Sequence, residues 1–148
     1  MKNQIREKAE QAFKNHLTYL STGRIEEWVN LFAEEGVLEF PYGPDGFPKK
    51  VAGKEALYEY MKNFPEHFKV AFTNLYFHPT ADPTLVIAEF ESDGIALSTG
   101  RPYLQKYISV VNNTEDGKIT RYVDFWNPLV AMKSMNVPID ALTEAFSS

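Results

Sequence analysis

The spacing of apolar residues predicts helices in the first part of the chain. Between residues 4 and 20, apolar side chains recur every three or four positions, which places them on one face of a helix. A shorter helix is predicted at residues 25–32 and a third at residues 54–63. Gly23, Gly36 and Pro65 are the residues expected to end these three helices.

Beyond Pro65 the pattern changes to the alternation that is typical of strands. Four long strands are predicted there, at residues 69–78, 84–98, 103–112 and 118–126. A fifth, short strand is predicted earlier in the chain, at residues 37–40. Residues 41–48 contain too many Pro and Gly for a regular element, so we expect an ordered loop that lies over another part of the protein. After Pro128, short helical pieces are expected, one of them starting at Pro138.

Helices followed by a meander of long strands predict an α+β fold. We expect a single domain over residues 1–148, with three N-terminal helices packed into the concave side of a strongly curved antiparallel sheet. Such a cone has an open mouth, and alternate strand positions point into its interior. Parallel strands, or a strand that begins before Gly36, would contradict this arrangement.

Composition and charge narrow the class of protein. A length of 148 residues suits one domain, and a hydrophobic fraction of 44% is too high for a disordered chain. No apolar run approaches the roughly 18 residues of a membrane span, and residues 1–14 lack the pattern of a signal peptide. A net charge of −5 argues against binding to nucleic acid. We therefore expect a cytoplasmic protein with neither a nucleic acid nor a membrane as its partner.

Several kinds of catalysis are excluded by the residue types present. The chain has no cysteine, so it has no thiolate nucleophile and no Cys-bound metal. It also lacks a His-x-x-x-His pair, a glycine-rich phosphate loop and a Gly-x-Ser-x-Gly elbow. The site that we expect therefore has no metal and no cofactor.

Aromatic residues make up 14% of the chain, with 11 Phe, 8 Tyr and 2 Trp, and many of them fall in the predicted strands. They suit either a large packed core or the wall of a pocket for a planar or apolar ligand. A packed core is the more common of the two, and composition alone does not separate them.

Asp124 is the leading candidate for a catalytic residue. Alternation along the last strand places it on the same face as Tyr122 and Trp126. If this face lines the interior, loss of water raises the pKa of the Asp124 carboxyl and suits it to general acid/base catalysis. The alternative is that Asp124 hydrogen-bonds a neighbour and only stabilises the sheet.

Further candidates lie on the predicted helices and the first strand. His16 is on the inward face of the first helix, where its imidazole could titrate near neutral pH and share a proton with Asp124, or could have a purely structural role. Tyr19 and Tyr60 could donate phenolic hydrogen bonds to a ligand carbonyl. Glu39 is either a second interior carboxylate or a paired or solvated one.

A third group of candidates follows one face of a predicted strand. Tyr103, Gln105 and Tyr107 alternate along it, and with Tyr122 and Trp126 they would form an aromatic wall with one amide. Packing in the core is the alternative. The pattern predicts that Asp124 lies in a cavity lined by these side chains and Tyr60, with His16 or Tyr19 reaching in from the first helix.

Three stretches of the sequence resemble the nuclear transport factor 2-like superfamily. They are residues 20–41 (LSTGRIEEWVNLFAEEGVLEFP), 53–57 (GKEAL) and 116–128 (DGKITRYVDFWNP). The resemblance covers about residues 5 to 138 and implies the cone-shaped fold described above. It does not imply one activity, because this fold hosts isomerases, cyclases, hydrolases and non-catalytic binding proteins.

Within that superfamily, the C-terminal half is most similar to SnoaL-like proteins and to phenazine-biosynthesis A/B proteins. Residues 116–119 (DGKI), followed by Asp124 and Asn127, match a pattern of the phenazine proteins. In those proteins the acidic residue is a glutamate that acts as the acid/base of an imine-forming condensation. In SnoaL-like cyclases a carboxylate serves an aldol-type ring closure. The resemblance therefore implies an acid/base role for Asp124.

The chain also departs from these families. Tyr60 and Phe64 occupy positions where the phenazine proteins have a histidine and a serine. Ketosteroid isomerases use a tyrosine and an aspartate at positions that correspond here to His16 and Phe40, which largely excludes their mechanism. Two hypotheses follow. One is a cofactor-independent enzyme that isomerises, cyclises or condenses a cyclic or aromatic metabolite, and the other is a non-catalytic protein that binds a small hydrophobic or aromatic molecule.

The outer face of the predicted sheet suggests self-association. It should carry Ile108, Val110, Val123 and Phe125, a patch too apolar to remain in contact with water. Members of the superfamily commonly pair through this sheet, so the resemblance implies a homodimer.

Overall fold

The structure, a computed structural model, describes residues 1–136 of the chain. Its helices are α1 (Lys2–Ser21), α2 (Ile25–Val29), α3 (Lys54–Met61), α4 (Phe64–His67) and α5 (Pro128–Ser134). Its strands are β1 (Phe32–Glu39), β2 (Lys50–Ala52), β3 (Phe68–His78), β4 (Leu85–Ala96), β5 (Gln105–Asn113) and β6 (Ile119–Trp126). The helical piece predicted to start at Pro138 lies outside the described residues.

The six strands form one curved sheet in the order β2-β1-β6-β5-β4-β3. Helix α1 packs across β3 and β4, and α3 packs against β1 and β2. The predicted α+β fold, with helices packed on one curved sheet, is confirmed. Within residues 1–136, no helix is long and apolar enough to cross a membrane.

One pair of strands corrects the prediction of a wholly antiparallel sheet. Strand β1 runs parallel to β6, whereas the other neighbouring pairs of the described sheet are antiparallel. The reason is the path of the chain, because α3 and α4 carry it from β2 to the far edge of the sheet. The strands β3 to β6 then return by antiparallel steps, and the fourth of them arrives beside β1 in the same direction.

The first strand also begins earlier than predicted. Strand β1 starts at Phe32, whereas the sequence predicted a helix up to residue 32 and no strand before Gly36. The register of β1 against β6 shifts between Phe32 and Val37, which marks a β-bulge. Gly36 lies in this bulge, where an added Cβ atom would come within 2.9 Å of Phe32. The glycine therefore permits a bend in a strand and does not end a helix.

The core lies between α1 and the covered face of the sheet. Helix α1 buries Phe13, His16 and Leu17 against it. The ring of Phe13 stacks on Tyr122 with centroids 6.0 Å apart and meets Phe90 edge-on at 5.3 Å. The apolar face that the spacing of residues 4–20 predicted is the face that packs.

The outer face of the sheet is less open than predicted. Ile108 is 47% exposed, but Val110 and Phe125 are half-buried and Val123 is only 5% exposed. Part of the cover comes from the chain itself, because the ring of Tyr42 lies 5.4 Å from that of Phe125. Pairing of two copies through this face stays a prediction.

Candidate active site

A cavity of about 760 Å³ opens between the helices and the covered face of the sheet. Pro44, Phe47 and Pro48 line its edge, so the loop that was expected to cover another part of the protein borders this space. Met132 of α5 lines it as well. The volume is in the range of small-molecule sites, roughly 300–1,000 Å³.

Asp124 is the one carboxylate among the described residues that line this cavity. Strand β6 presents Tyr122, Asp124 and Trp126 to the same space. Asp124 is half-buried, and loss of water around its carboxyl raises the pKa from an ordinary value of 3.8 to about 7. A hydrogen bond from Ser109 acts in the opposite direction and lowers the pKa in part.

The pairing of β5 with β6 explains the contact with Ser109. These two strands place Ser109 directly opposite Asp124, so both side chains point to the covered face. The Ser109 hydroxyl donates a hydrogen bond to Oδ1 of Asp124 at 3.2 Å. Ser109 is fully buried, so this bond is formed away from bulk water.

Hydrogen bonds continue from Ser109 into the protein. The Ser109 hydroxyl lies 2.7 Å from the hydroxyl of Tyr122, which lies 2.9 Å from Nε2 of His16. The indole N–H of Trp28 donates to the other imidazole nitrogen, Nδ1, at 2.7 Å. These hydrogen bonds therefore connect α1, α2, β5 and β6 through one row of polar atoms.

His16 is linked to Asp124 through two other side chains. Burial lowers the pKa of the imidazole to about 3, so the ring is neutral near pH 7. It does not touch Asp124, because Tyr122 and Ser109 stand between the two. The lowered pKa and the indirect link to Asp124 favour the structural alternative for His16, and its catalytic role stays a prediction.

Three further phenols lie near the carboxyl. Burial and, to a smaller extent, the nearby Asp124 raise the pKa of Tyr60 to about 12. Tyr103 and Tyr107 also line the cavity, and burial raises the pKa of each. The Tyr107 hydroxyl lies 3.1 Å from that of Ser92. All three phenols are protonated near pH 7 and can donate hydrogen bonds.

Aromatic rings complete the wall beside the carboxyl. Phe40 meets Tyr60 edge-on at 5.3 Å and Trp126 at 6.2 Å, and Phe47 of the loop lies 6.2 Å from Trp126. Aromatic walls of this kind suit a planar or apolar ligand. This part of the cavity can hold a flat apolar molecule with a polar group directed at Asp124.

Two predicted ligand-binding residues do not line the cavity. Tyr19 lies about 60° around α1 from His16, and its ring packs under the guanidinium of Arg24 at 4.7 Å. Gln105 is 1% exposed. Its amide donates to the Asn127 carbonyl at 2.9 Å and accepts from the Asn127 N–H at 3.0 Å, so it holds the corner between β6 and α5.

Ser109 and Trp28 are the polar contributors that the sequence interpretation missed. Ser109 continues the alternation of Tyr103, Gln105 and Tyr107 along one strand, so the pattern contained it. Trp28 lies in the helix predicted at residues 25–32, but its indole N–H was not assigned a partner. The distance of 12 residues between Trp28 and His16, on two different helices, left no local pattern to find.

The cavity contains little charge. None of its described lining residues is Lys or Arg, and residues 137–148 contain neither. Within residues 1–136, no group of three or more acidic or imidazole side chains is arranged to hold a metal ion.

Residues 13–122 match the family model of the SnoaL-like domain, and the chain belongs to this family. An uncharacterized PhzA/B-like protein of Pseudomonas aeruginosa is 44% identical over 127 residues, which cover 86% of this chain and 89% of that protein.

Two solved structures are similar in fold. One, from Bacillus subtilis and provisionally named an isomerase, is 41% identical with a TM-score of 0.86 and covers 89% of this chain and 95% of its own. An NTF2-like protein from Anabaena variabilis is 25% identical with a TM-score of 0.71, covering 84% and 90%. The expected resemblance to the nuclear transport factor 2-like superfamily and its SnoaL-like and PhzA/B-like members is confirmed.

Proposed function

We propose that this protein is an enzyme in which Asp124 acts as a general acid/base on an uncharged cyclic or aromatic metabolite. The observation that carries the proposal is the carboxyl of Asp124 in an aromatic cavity, with a pKa raised to about 7 by burial. A group with this pKa exists in both protonation states near neutral pH, which general acid/base catalysis requires.

The chemistry is the movement of a proton between atoms of one substrate. As a carboxylate, Asp124 removes a proton from a carbon next to a carbonyl group, and the electron pair of the C–H bond forms an enolate. In this proposal Tyr60 and Tyr103, which line the cavity, donate hydrogen bonds to the enolate oxygen. Asp124 then returns the proton to another atom, which completes an isomerisation. Alternatively, the enolate carbon attacks a second carbonyl, the C=O π electrons form an alkoxide, and Asp124 gives its proton to that alkoxide, which completes an aldol-type cyclisation or condensation.

The charge of the cavity supports an uncharged substrate. A carboxylate or phosphate on the ligand would lie near Asp124 with no Lys or Arg from the described lining to pair with it. The aromatic walls favour a planar, largely apolar molecule. The relative provisionally named an isomerase supports this class of reaction.

The test compares the natural protein with Asp124→Asn, which keeps the shape of the side chain and removes its titration. Molecules that copurify with the protein or bind it in a metabolite mixture are identified by mass spectrometry and then assayed for conversion. We expect turnover by Asp124→Asn to fall about 10²-fold or more with binding retained. Glu39→Gln is the matched control, because it removes a carboxylate that pairs with Arg121 and does not line the cavity. Full turnover by Asp124→Asn would overturn the proposal.

A second candidate function is non-catalytic binding of the same class of molecule. Phe40, Tyr60 and Phe64 favour it, because they line the cavity where the related enzyme families have polar catalytic residues. Binding of identified ligands by the natural protein, with no conversion under any condition that preserves the fold, would support this alternative.

A homodimer through the outer face of the sheet is part of the proposal. A groove of about 590 Å³ on this face is lined by Tyr42, Tyr76, Ile108 and Phe125 among others. Tyr76 is 58% exposed and Ile108 is 47% exposed, which leaves apolar surface for a second copy. Light scattering that reports a monomer at micromolar concentration would contradict the dimer. The cytoplasmic location stays a prediction.

A further inference from the structure

The row of hydrogen bonds that ends at Asp124 begins at a group that can only donate. The indole N–H of Trp28 has no acceptor atom, so Nδ1 of His16 must accept its hydrogen bond. A neutral imidazole that accepts at Nδ1 carries its proton on Nε2. This Nε2–H therefore donates to the Tyr122 hydroxyl at 2.9 Å.

The hydroxyl groups of Tyr122 and Ser109 donate in the same direction, from His16 towards Asp124. Each hydroxyl has a single proton, so Tyr122, which accepts from His16, directs its own proton to Ser109 at 2.7 Å. Ser109 in turn directs its proton to Oδ1 of Asp124 at 3.2 Å. Trp28 is 0% exposed, so this chain of hydrogen bonds starts in the core and does not lead to bulk water.

We propose that Trp28 sets the direction of this chain and so keeps the exchangeable proton of Asp124 on Oδ2, the carboxyl oxygen that Ser109 does not bond. The inference rests on the proposed function of Asp124. Among residues 1–136, the recorded hydrogen bond to the carboxyl reaches Oδ1, and no described group bonds Oδ2. Oδ2 is therefore the oxygen that a substrate in the cavity meets.

The proton balance follows from this arrangement. Oδ2 takes a proton from a substrate C–H bond while Ser109 continues to donate to Oδ1. The new O–H then returns that proton to the substrate, and nothing moves along the chain. Transfer from Asp124 to His16 would reverse both hydroxyls and place a proton on Nδ1, where it would face the N–H of Trp28. The chain orients the carboxyl and does not conduct protons away from it.

Trp28, His16, Tyr122 and Ser109 are thus positioning residues. Among residues 1–136, the other titratable groups that face Asp124 are phenols, and they come from α3 and from β5 with the segment before it. They are Tyr60, Tyr103 and Tyr107. His67 of α4 is exposed at the edge of the cavity.

Nuclear magnetic resonance on the resting protein tests the proposal without a substrate. The nitrogen chemical shifts of His16 report which ring nitrogen carries the proton, and the carboxyl carbon of Asp124 reports its pKa. In the natural protein we expect only the tautomer with the proton on Nε2. In Ser109→Ala we expect the pKa of Asp124 to rise by about one unit, because a donor to the carboxylate is lost.

The variant Trp28→Phe separates the indole N–H from the rest of the chain. We expect its His16 to populate the second tautomer and the pKa of Asp124 to rise by less than in Ser109→Ala. Phe13→Leu is the matched control, since Phe13 contacts the His16 ring at 5.3 Å but gives it no hydrogen bond. Its His16 should keep one tautomer.

Three results would overturn the inference. They are a proton on Nδ1 of His16 in the natural protein, an unchanged tautomer in Trp28→Phe, or an unchanged pKa of Asp124 in Ser109→Ala. Because Ser109→Ala is an independent variant, poor folding of Trp28→Phe leaves two of these three results measurable. Full turnover by Asp124→Asn would overturn the proposed function instead, and the resting-state spectra distinguish that failure from this one.

Discussion

Two carboxylates on neighbouring strands of the sheet have opposite surroundings. Glu39 of β1 forms an ion pair with Arg121 at 2.7 Å, and more than half of the Arg121 side chain is exposed. Asp124 of β6 faces the cavity, where its recorded partner is the neutral hydroxyl of Ser109. A cation and water surround the first carboxylate, whereas aromatic rings and hydroxyls surround the second.

The two carboxylates also differ in how they affect the stability of the folded protein. An exposed ion pair contributes about 0–1 kcal/mol and is weakened by salt. A carboxyl buried without a cation is unfavourable when ionised, which is why burial raises the pKa of Asp124 to about 7. Strongly shifted pKa values cluster at functional sites, which supports the proposed role of Asp124.

The largest effect that we predict on stability comes from Asp124→Asn at alkaline pH. The pKa of Asp124 rises from 3.8 in the unfolded chain to about 7 in the folded protein. Its protonation therefore stabilises the fold below pH 4, and this contribution is lost as the pH rises to 7. Asp124→Asn cannot ionise, so it does not lose this stabilisation. We therefore expect its free energy of unfolding to exceed that of the natural protein by about 2–4 kcal/mol at pH 8 and to be nearly equal at pH 4.

His16 gives this prediction a second readout. The pKa of its imidazole falls from 6.5 to about 3 on folding, so its contribution is present above pH 6.5 and is lost on acidification. Between pH 4 and 6.5 the two groups oppose each other and nearly cancel in the natural protein. Asp124→Asn removes one of them, and denaturant unfolding should then show stability rising by about 1.4 kcal/mol per pH unit relative to the natural protein. Parallel curves for the two proteins would contradict the raised pKa.

Local patterns in the sequence were sufficient for most of the elements and for the side of β6 that carries Asp124. Alternation gave the common face of Tyr122, Asp124 and Trp126, because period two is a property of the strand itself. The same rule placed Gln105 on the covered face of the sheet. It could not show that the amide of Gln105 forms its hydrogen bonds with the backbone of Asn127. That contact joins residues 22 apart, so it depends on the tertiary fold.

The correction at β1 and the unpredicted partners of His16 have related causes. A glycine after an apolar helical stretch usually marks the end of a helix, and only the pairing of β1 with β6 shows that Gly36 occupies a bulge. The isolated sequence of α1 predicts an inward imidazole, but the indole that fixes its proton comes from α2. Long-range partners decided both cases.

A smaller effect is predicted for Tyr122→Phe, which breaks the buried chain on the cavity side of the sheet. The loss of its hydroxyl leaves Nε2 of His16 and the hydroxyl of Ser109 without this partner in the core. We expect the free energy of unfolding to fall by about 1–3 kcal/mol. Tyr42→Phe is the matched control, because Tyr42 is 63% exposed, and denaturant unfolding should show a change below about 0.5 kcal/mol. Equal effects of the two substitutions would remove the contrast between the buried chain and the surface.

The smallest effect is predicted for the ion pair of Glu39 with Arg121. We expect a double-mutant cycle of Glu39→Gln and Arg121→Gln to give a coupling energy of about 0.2–1 kcal/mol at low salt. The coupling should nearly vanish in 1 M salt, where the screening length falls to about 3 Å. The pKa of Asp124 should stay the same in both variants, because Glu39 and Arg121 do not line its cavity. A coupling above about 2 kcal/mol, or one that salt leaves unchanged, would mean that this pair is as isolated from water as Asp124, and the contrast between the two carboxylates would be lost.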